Sequence, residues 1–145
     1  MRPVFIAPLL FLFLSCEKNK NAIAVPDKSA FPERWELVEM RGSQINAEPL
    51  RGEGMAWQSR YIFRKDGSFQ KFRMINGDTI SAQGTFKWTV IEDRHYMELS
   101  YTSGKELIES CSRDTDTLLY GEGGTLITSW EICDGPFLVY RPVSE

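Results

Sequence analysis

The clearest pattern in the chain runs from Thr79 to Val90. Its even positions, Ile80, Ala82, Gly84, Phe86, Trp88 and Val90, are apolar or small, and its odd positions, Thr79, Ser81, Gln83, Thr85, Lys87 and Thr89, are mostly polar. Successive residues of a strand point to opposite faces, so this run reads as a strand with one face in a core and one in water. His95, Met97, Leu99 and Tyr101 against Tyr96, Glu98, Ser100 and Thr102 repeat the pattern. Tyr61-Phe63 and Leu126-Thr128-Trp130-Ile132 follow it less regularly. Turn residues separate the runs at Asp66-Gly67, Asn76-Gly77-Asp78, Glu92-Asp93, Ser103-Gly104, Arg113–Asp116, Gly121–Gly124 and Asp134-Gly135-Pro136. Gly, Asn and Asp supply the positive φ or the local hydrogen bonds of tight hairpins. The pattern predicts nine strands, 34–40, 59–65, 68–75, 79–90, 94–102, 105–112, 117–121, 125–133 and 137–142. No stretch has a helical period, and Gly84 marks a bend or bulge within the longest strand. The one long irregular segment is Arg41–Gln58, with three glycines and Pro49. Many short antiparallel strands with one apolar face each close most economically into a barrel, which removes exposed edges. The expectation is therefore an all-β, antiparallel up-and-down barrel of about eight to nine strands, with a two-sheet sandwich as the alternative.

The first segment has a different character. After Arg2, the apolar run 4–14 is 11 residues long, too short for a bilayer that needs roughly 20 helical residues, and reads as a signal peptide. Phe13-Leu14-Ser15-Cys16 resembles a lipobox, in which a small residue precedes the cysteine that receives lipid. The polar stretch Glu17–Asn21 follows at once. The organisation expected is a lipoprotein signal peptide at 1–15, lipidated Cys16 with a flexible tether to residue 32, and one domain at 33–145. This places the chain in the envelope of a Gram-negative bacterium, most simply at the outer membrane. Cys111 and Cys133 then remain as a pair in an oxidising compartment, where a disulfide persists.

Charge narrows the partners. Without the leader, 16 Lys+Arg stand against 20 Asp+Glu, a net −4, which argues against nucleic acid. Charge says nothing strong about small ligands; the partner expected at this point is a membrane, through the anchor, for a monomer without a cofactor. No catalytic residues are assigned and the domain is expected not to be an enzyme. His95 is the sole histidine, with no Cys or carboxylate at metal spacing, and no Gly-x-Ser-x-Gly elbow occurs. Asp114 and Asp116 read as a polar turn, and Gly121–Gly124 lacks the lysine and helix of a phosphate loop.

Three short motifs then carry a resemblance. Trp35-Glu36-Leu37-Val38 opens the first strand, Phe63-Arg64-Lys65-Asp66-Gly67-Ser68-Phe69 forms a hairpin, and Gly84-Thr85-Phe86-Lys87-Trp88 lies in the long strand. In order and spacing they are similar to the lipocalin-like domains of small bacterial lipoproteins, over about 33–142; Glu33 stands where lipocalins proper have glycine. The resemblance implies an up-and-down barrel with a cup for an apolar or amphipathic molecule. An eight-stranded barrel is just wide enough for one such ligand or for its own side chains, so ligand binding and a filled-barrel interaction or inhibitor module acting through its loops both stand. The residues expected to face a ligand are Met55, Trp57, Tyr61, Phe63, Phe86, Trp88 and Trp130, with the Arg41–Gln58 segment as lid or plug. The resemblance further implies Arg141 stacked on Trp35. Counting strands by alternation places the turns at 76–78, 103–104 and 121–124 at the same rim as that segment, and the disulfide at the opposite rim with Asp66-Gly67.

Overall fold

The computed structural model describes residues 31, 33–42 and 47–143. Cys16, the expected signal peptide and all of the expected tether except Phe31 lie outside the described residues. Eight strands follow one another around a closed barrel: β1 (Arg34–Arg41), β2 (Gln58–Phe63), β3 (Ser68–Ile75), β4 (Asp78–Ile91), β5 (Arg94–Ser103), β6 (Thr115–Gly121), β7 (Thr125–Thr128) and β8 (Phe137–Pro142). Every neighbouring pair is antiparallel, and β8 closes on β1 through Trp35↔Pro142 and Glu36↔Arg141. Sheet alternation works as the sequence implies. On β5 the buried positions are His95, Met97, Leu99 and Tyr101, and on β4 they centre on Ala82 and Gly84. The β4 stripe runs out at its ends, where Ile80 and Val90 are exposed.

One expected strand is replaced by other structure and a second is shortened. Residues 105–112 form no strand: a single 3-10 turn, Lys105–Leu107, starts at Gly104 in the left-handed region, and the chain then crosses the barrel mouth. A side chain at Gly104 would meet the Ser81 carbonyl at 2.4 Å, so only glycine lets the chain turn inward this close to β4. The strand expected at 125–133 stops at Thr128, and Trp130–Cys133 form a 3-10 turn. There Trp130 lies flat on Gly135, where a Cβ would sit 2.3 Å from its ring.

Losing one strand reverses the alternation for everything after β5. The N-terminal rim carries Phe31, the hairpin tips at 64–67, 92–93 and 122–124 and the end of β8; the distal rim carries Gly42, 47–57, 76–77, 104–114 and 129–136. The 121–124 turn is thus at the N-terminal rim and the Cys111–Cys133 disulfide (Cα–Cα 5.7 Å) at the distal one, the reverse of the placement expected from nine strands. The disulfide itself joins the expected pair. The expected Arg141–Trp35 stack is also overturned. Arg141 lies opposite Glu36 on the outer face, whereas Trp35 points inward and is stacked by Phe31 at 5.2 Å. The pleat forbids the pairing: the two residues are on opposite sides of the same two-strand ladder.

Candidate functional site

Three groups of side chains lie along the barrel axis. At the N-terminal rim, β2, the second half of β4 and Phe31, ahead of β1, bring aromatic rings together. Phe31 meets Trp88 edge-on at 5.2 Å and Phe63 at 5.9 Å, and Phe63 meets Phe86 at 5.0 Å. Between them and the β2–β3 turn is a cleft of about 350 Å³ open to solvent. Arg64, Lys65, Lys87, Asp66 and Glu33 surround its mouth. The turn is firm, because Asp66 accepts hydrogen bonds from the Ser68 backbone N–H and hydroxyl at 2.9 and 2.6 Å. Those bonds hold the Asp66 carboxyl below its ordinary pKa. Tyr120 reaches Trp88 at 5.8 Å from the other side.

The barrel interior is filled, and partly by charge. Tyr61, Phe69, Met97, Leu99, Leu118, Leu126 and Leu138 are fully buried, as expected of a core. With them are Lys71, Glu109 and Asp116, each no more than 1% exposed. The Lys71 ammonium donates to the Leu107 carbonyl at 2.6 Å and pairs with Glu109 Oε2 at 2.8 Å, with Asp116 Oδ2 at 3.7 Å. Arg73 donates to Glu109 Oε1 at 2.9 Å and the Tyr140 hydroxyl to Glu109 Oε2 at 2.8 Å. Asp116 accepts from the Glu109 backbone N–H at 2.7 Å and from the Tyr101 hydroxyl at 2.6 Å. Burial disfavours charge, so it pushes Lys71 below and Asp116 above their ordinary pKa values, each partly offset by the other. Burial, with the nearby carboxylates, raises Tyr61, Tyr101 and Tyr140.

At the distal rim, Trp57 and Trp130 lie 6.1 Å apart with the Arg73 guanidinium over both rings, 4.7 and 5.8 Å from their centroids. Met55 is buried beneath. The Arg41–Gln58 segment is pinned by the Met40↔Leu50 bridge and by Glu39, which pairs with Arg41 and Arg51. Desolvation would raise the Glu39 carboxyl, but the two arginines outweigh it and hold its pKa down.

The seven residues expected to face a ligand therefore separate. Phe63, Phe86 and Trp88 line the N-terminal cleft, Tyr61 lies in the core stacked on Phe63 at 5.3 Å, and Met55, Trp57 and Trp130 close the distal rim. Sequence reasoning missed Phe31 and the buried network. Phe31 falls in a polar stretch with no pattern around it. Lys71 and Arg73 share the inward phase of β3 with Phe69, but Phe72 and Met74 occupy the other phase, so period two does not choose a face. Phe72 is outward and covered by the Arg60 guanidinium at 4.9 Å. His95 is buried opposite Val90, and no three metal-ligating side chains cluster among the described residues. Comparison with protein-family models, with curated proteins and with solved structures finds no match to this chain.

Proposed function

We propose that the protein is a lipid-anchored, lipocalin-like envelope protein, without catalytic activity, that holds a small hydrophobic or amphipathic molecule in the cleft at its N-terminal rim. The observation that carries this reading is the cleft of about 350 Å³ between Phe31, Phe63, Phe86 and Trp88. Small-molecule sites start at roughly 300 Å³ and are largely apolar with a few polar groups at the mouth. The barrel interior is occupied by its own buried side chains, so this reading puts the ligand at the end of the barrel. Phe31 lies at that same end, so a lipid on Cys16 would hold the cleft near the bilayer. The test uses the neutral apolar dye N-phenyl-1-naphthylamine on the detergent-extracted full chain. Dye fluorescence should rise saturably, and Trp88→Ala should weaken binding about tenfold or more, the loss of one large aromatic contact of roughly 1.5 kcal/mol. Equal affinity in Trp88→Ala and the parent removes the cleft as the site. Separately, Cys16→Ala should release the protein from the membrane fraction; unchanged membrane association counts against the anchor.

A second reading, an interaction or inhibitor module acting through its loops, is favoured by the filled interior. Native mass spectrometry of the extracted protein separates the two, since a binder carries a co-purifying small molecule and a module does not.

A further inference from the structure

The longest strand runs past its neighbour. β4 pairs with β3 only as far as Ser68↔Thr85, and among the described residues its last hydrogen bond on that side runs from the Phe86 backbone N–H to the Gly67 carbonyl at 2.8 Å. Its pairing with β5 continues to Ile91↔Arg94, so the end of the β4–β5 hairpin overhangs the N-terminal rim. Along this overhang the inward phase of β4 leaves the core. Ala82 and Gly84 are buried, Phe86 and Trp88 are half-buried beside the cleft, and Val90 is 59% exposed. Ile91, the next residue, is 54% exposed and points to the opposite face. Packing against the barrel asks for an apolar side chain on one face only, so it does not explain a tip that carries one on each. Such a tip suits a medium that surrounds it. Leu50, Ile75, Ile80 and Ile132 are exposed as well, but they belong to the distal rim.

The route of the chain identifies that medium. Phe31, which meets Trp88 at 5.2 Å, is the described residue nearest to Cys16 in sequence. Residues 17–30 lie between them, a reach of at most about 50 Å when fully extended. With a lipid on Cys16, a link this short keeps the rim at a roughly millimolar effective concentration beside the bilayer, where a weak contact is enough. Charge does not supply that contact, since Asp66, Glu92 and Asp93 interleave with Lys65, Lys87 and Arg94 around the same mouth.

We propose that the overhanging β4–β5 hairpin is a membrane-docking tip: Val90 and Ile91 enter the headgroup region of the bilayer that holds the anchor, with Trp88 and Phe31 beside them at the lipid–water boundary. The depth is shallow, because the backbone of the overhang has no strand on its β3 side and keeps its water there. Docked in this way, the cleft opens onto the lipid surface. The proposal rests on the lipid anchor and not on a molecule bound in the cleft.

The experiment uses the detergent-extracted full chain, reconstituted into phosphatidylethanolamine–phosphatidylcholine vesicles and floated on a density gradient. One added cysteine carries a fluorophore, Lys65→Cys at the N-terminal rim or Asp78→Cys at the distal rim, and spin-labelled lipids quench it. Interfacial insertion reaches only about 5–10 Å, so quenching at position 65 should exceed that at position 78 at least about twofold. Val90→Ser/Ile91→Ser changes only exposed side chains and should abolish the difference while the protein still floats. Added salt or anionic lipid should leave the quenching unchanged. Equal quenching at the two positions in protein that floats overturns the docking tip and leaves the anchor standing. A difference that persists in Val90→Ser/Ile91→Ser, or that salt removes, overturns the role of the two aliphatic side chains. Protein that does not float removes the anchor, and the docking with it.

Discussion

Gly84 shows what one position on the core face is required to be. It sits where β4 slips register against β5, between Gln83↔Ser103 and Gly84↔Tyr101. A methyl group there would lie 2.0 Å from the Ser100 carbonyl oxygen and 2.8 Å from the Phe69 ring. The carbonyl belongs to a paired strand and cannot rotate away. Gly84→Ala should therefore cost about 1–3 kcal/mol or somewhat more, as overpacking does, read from urea unfolding; a loss under about 0.5 kcal/mol would mean that the strand shifts freely. The bulge was legible in the sequence from a glycine within a long alternating strand. Its cause was not, because Phe69 and Ser100 arrive from other strands. Lys71 marks the same limit more sharply. Its pairing partner Glu109 is 38 positions away on a segment of the wrong predicted type. Lys71→Met removes the buried cation that two buried carboxylates share and should cost about 3–5 kcal/mol. Lys87→Met, which breaks the exposed Lys87–Glu98 pair (3.3 Å), should cost no more than about 1 kcal/mol. Chemical denaturation of the two variants side by side checks the contrast, and equal losses would show that burial of the network contributes nothing.

At the scale of elements, the segment 104–114 decides how the chain is counted. Leu107, Glu109 and Cys111 alternate with Ile108, Ser110 and Ser112, and turn residues flank them on both sides. A hairpin strand and an inserted loop share that local signature. They differ only in whether the two turns lie at opposite rims or at one, a tertiary property. The loop wins because Leu107 and Glu109 find fully buried places inside the barrel. The rest of the order was legible, since β1 to β5 and β8 lie within a few residues of the alternating runs. The distal loops then depend on one covalent link. Cys111 and Cys133 are 22 residues apart, and opening a loop of that length costs about 3 kcal/mol by chain entropy. Cys111→Ser/Cys133→Ser should lose about that much in guanidinium unfolding. The loss should come with faster amide exchange at Leu107 and Glu109 than at β3 and β4, because the link constrains the inserted segment more than the wall. Uniform exchange across the barrel would contradict the segment's separate status.

For the molecule as a whole, the closed barrel was legible because each strand has a single apolar face and the turns recur at short intervals. Its filling was not, because an inward aromatic reads the same whether it lines a cup or packs a core. The filling includes three tyrosines, Tyr61, Tyr101 and Tyr140, at 0%, 6% and 0% exposure. Burial lifts all three above the ordinary tyrosine pKa. The folded chain keeps these protons at a pH where the unfolded chain, with an ordinary value near 10, has released them. A raised folded pKa contributes stability that is whole below the unfolded value and is lost as pH rises above it. With three protons held back, the slope above pH 10 is about −4 kcal/mol per pH unit, from roughly 1.4 kcal/mol for each. Lys71 works in the opposite sense, since burial lowers its pKa. That opposition ends near pH 10.4, where the unfolded ammonium has also titrated. The barrel should therefore unfold cooperatively within about one to four pH units above 10, given a typical stability of 5–15 kcal/mol. Tyrosinate absorbance at 295 nm should carry a step of three of the five tyrosines, coincident with loss of the near-ultraviolet circular dichroism of the aromatic core. Smooth titration of all five while that signal stays intact would mean that water reaches the interior, and that the barrel is not filled in the way its buried network implies.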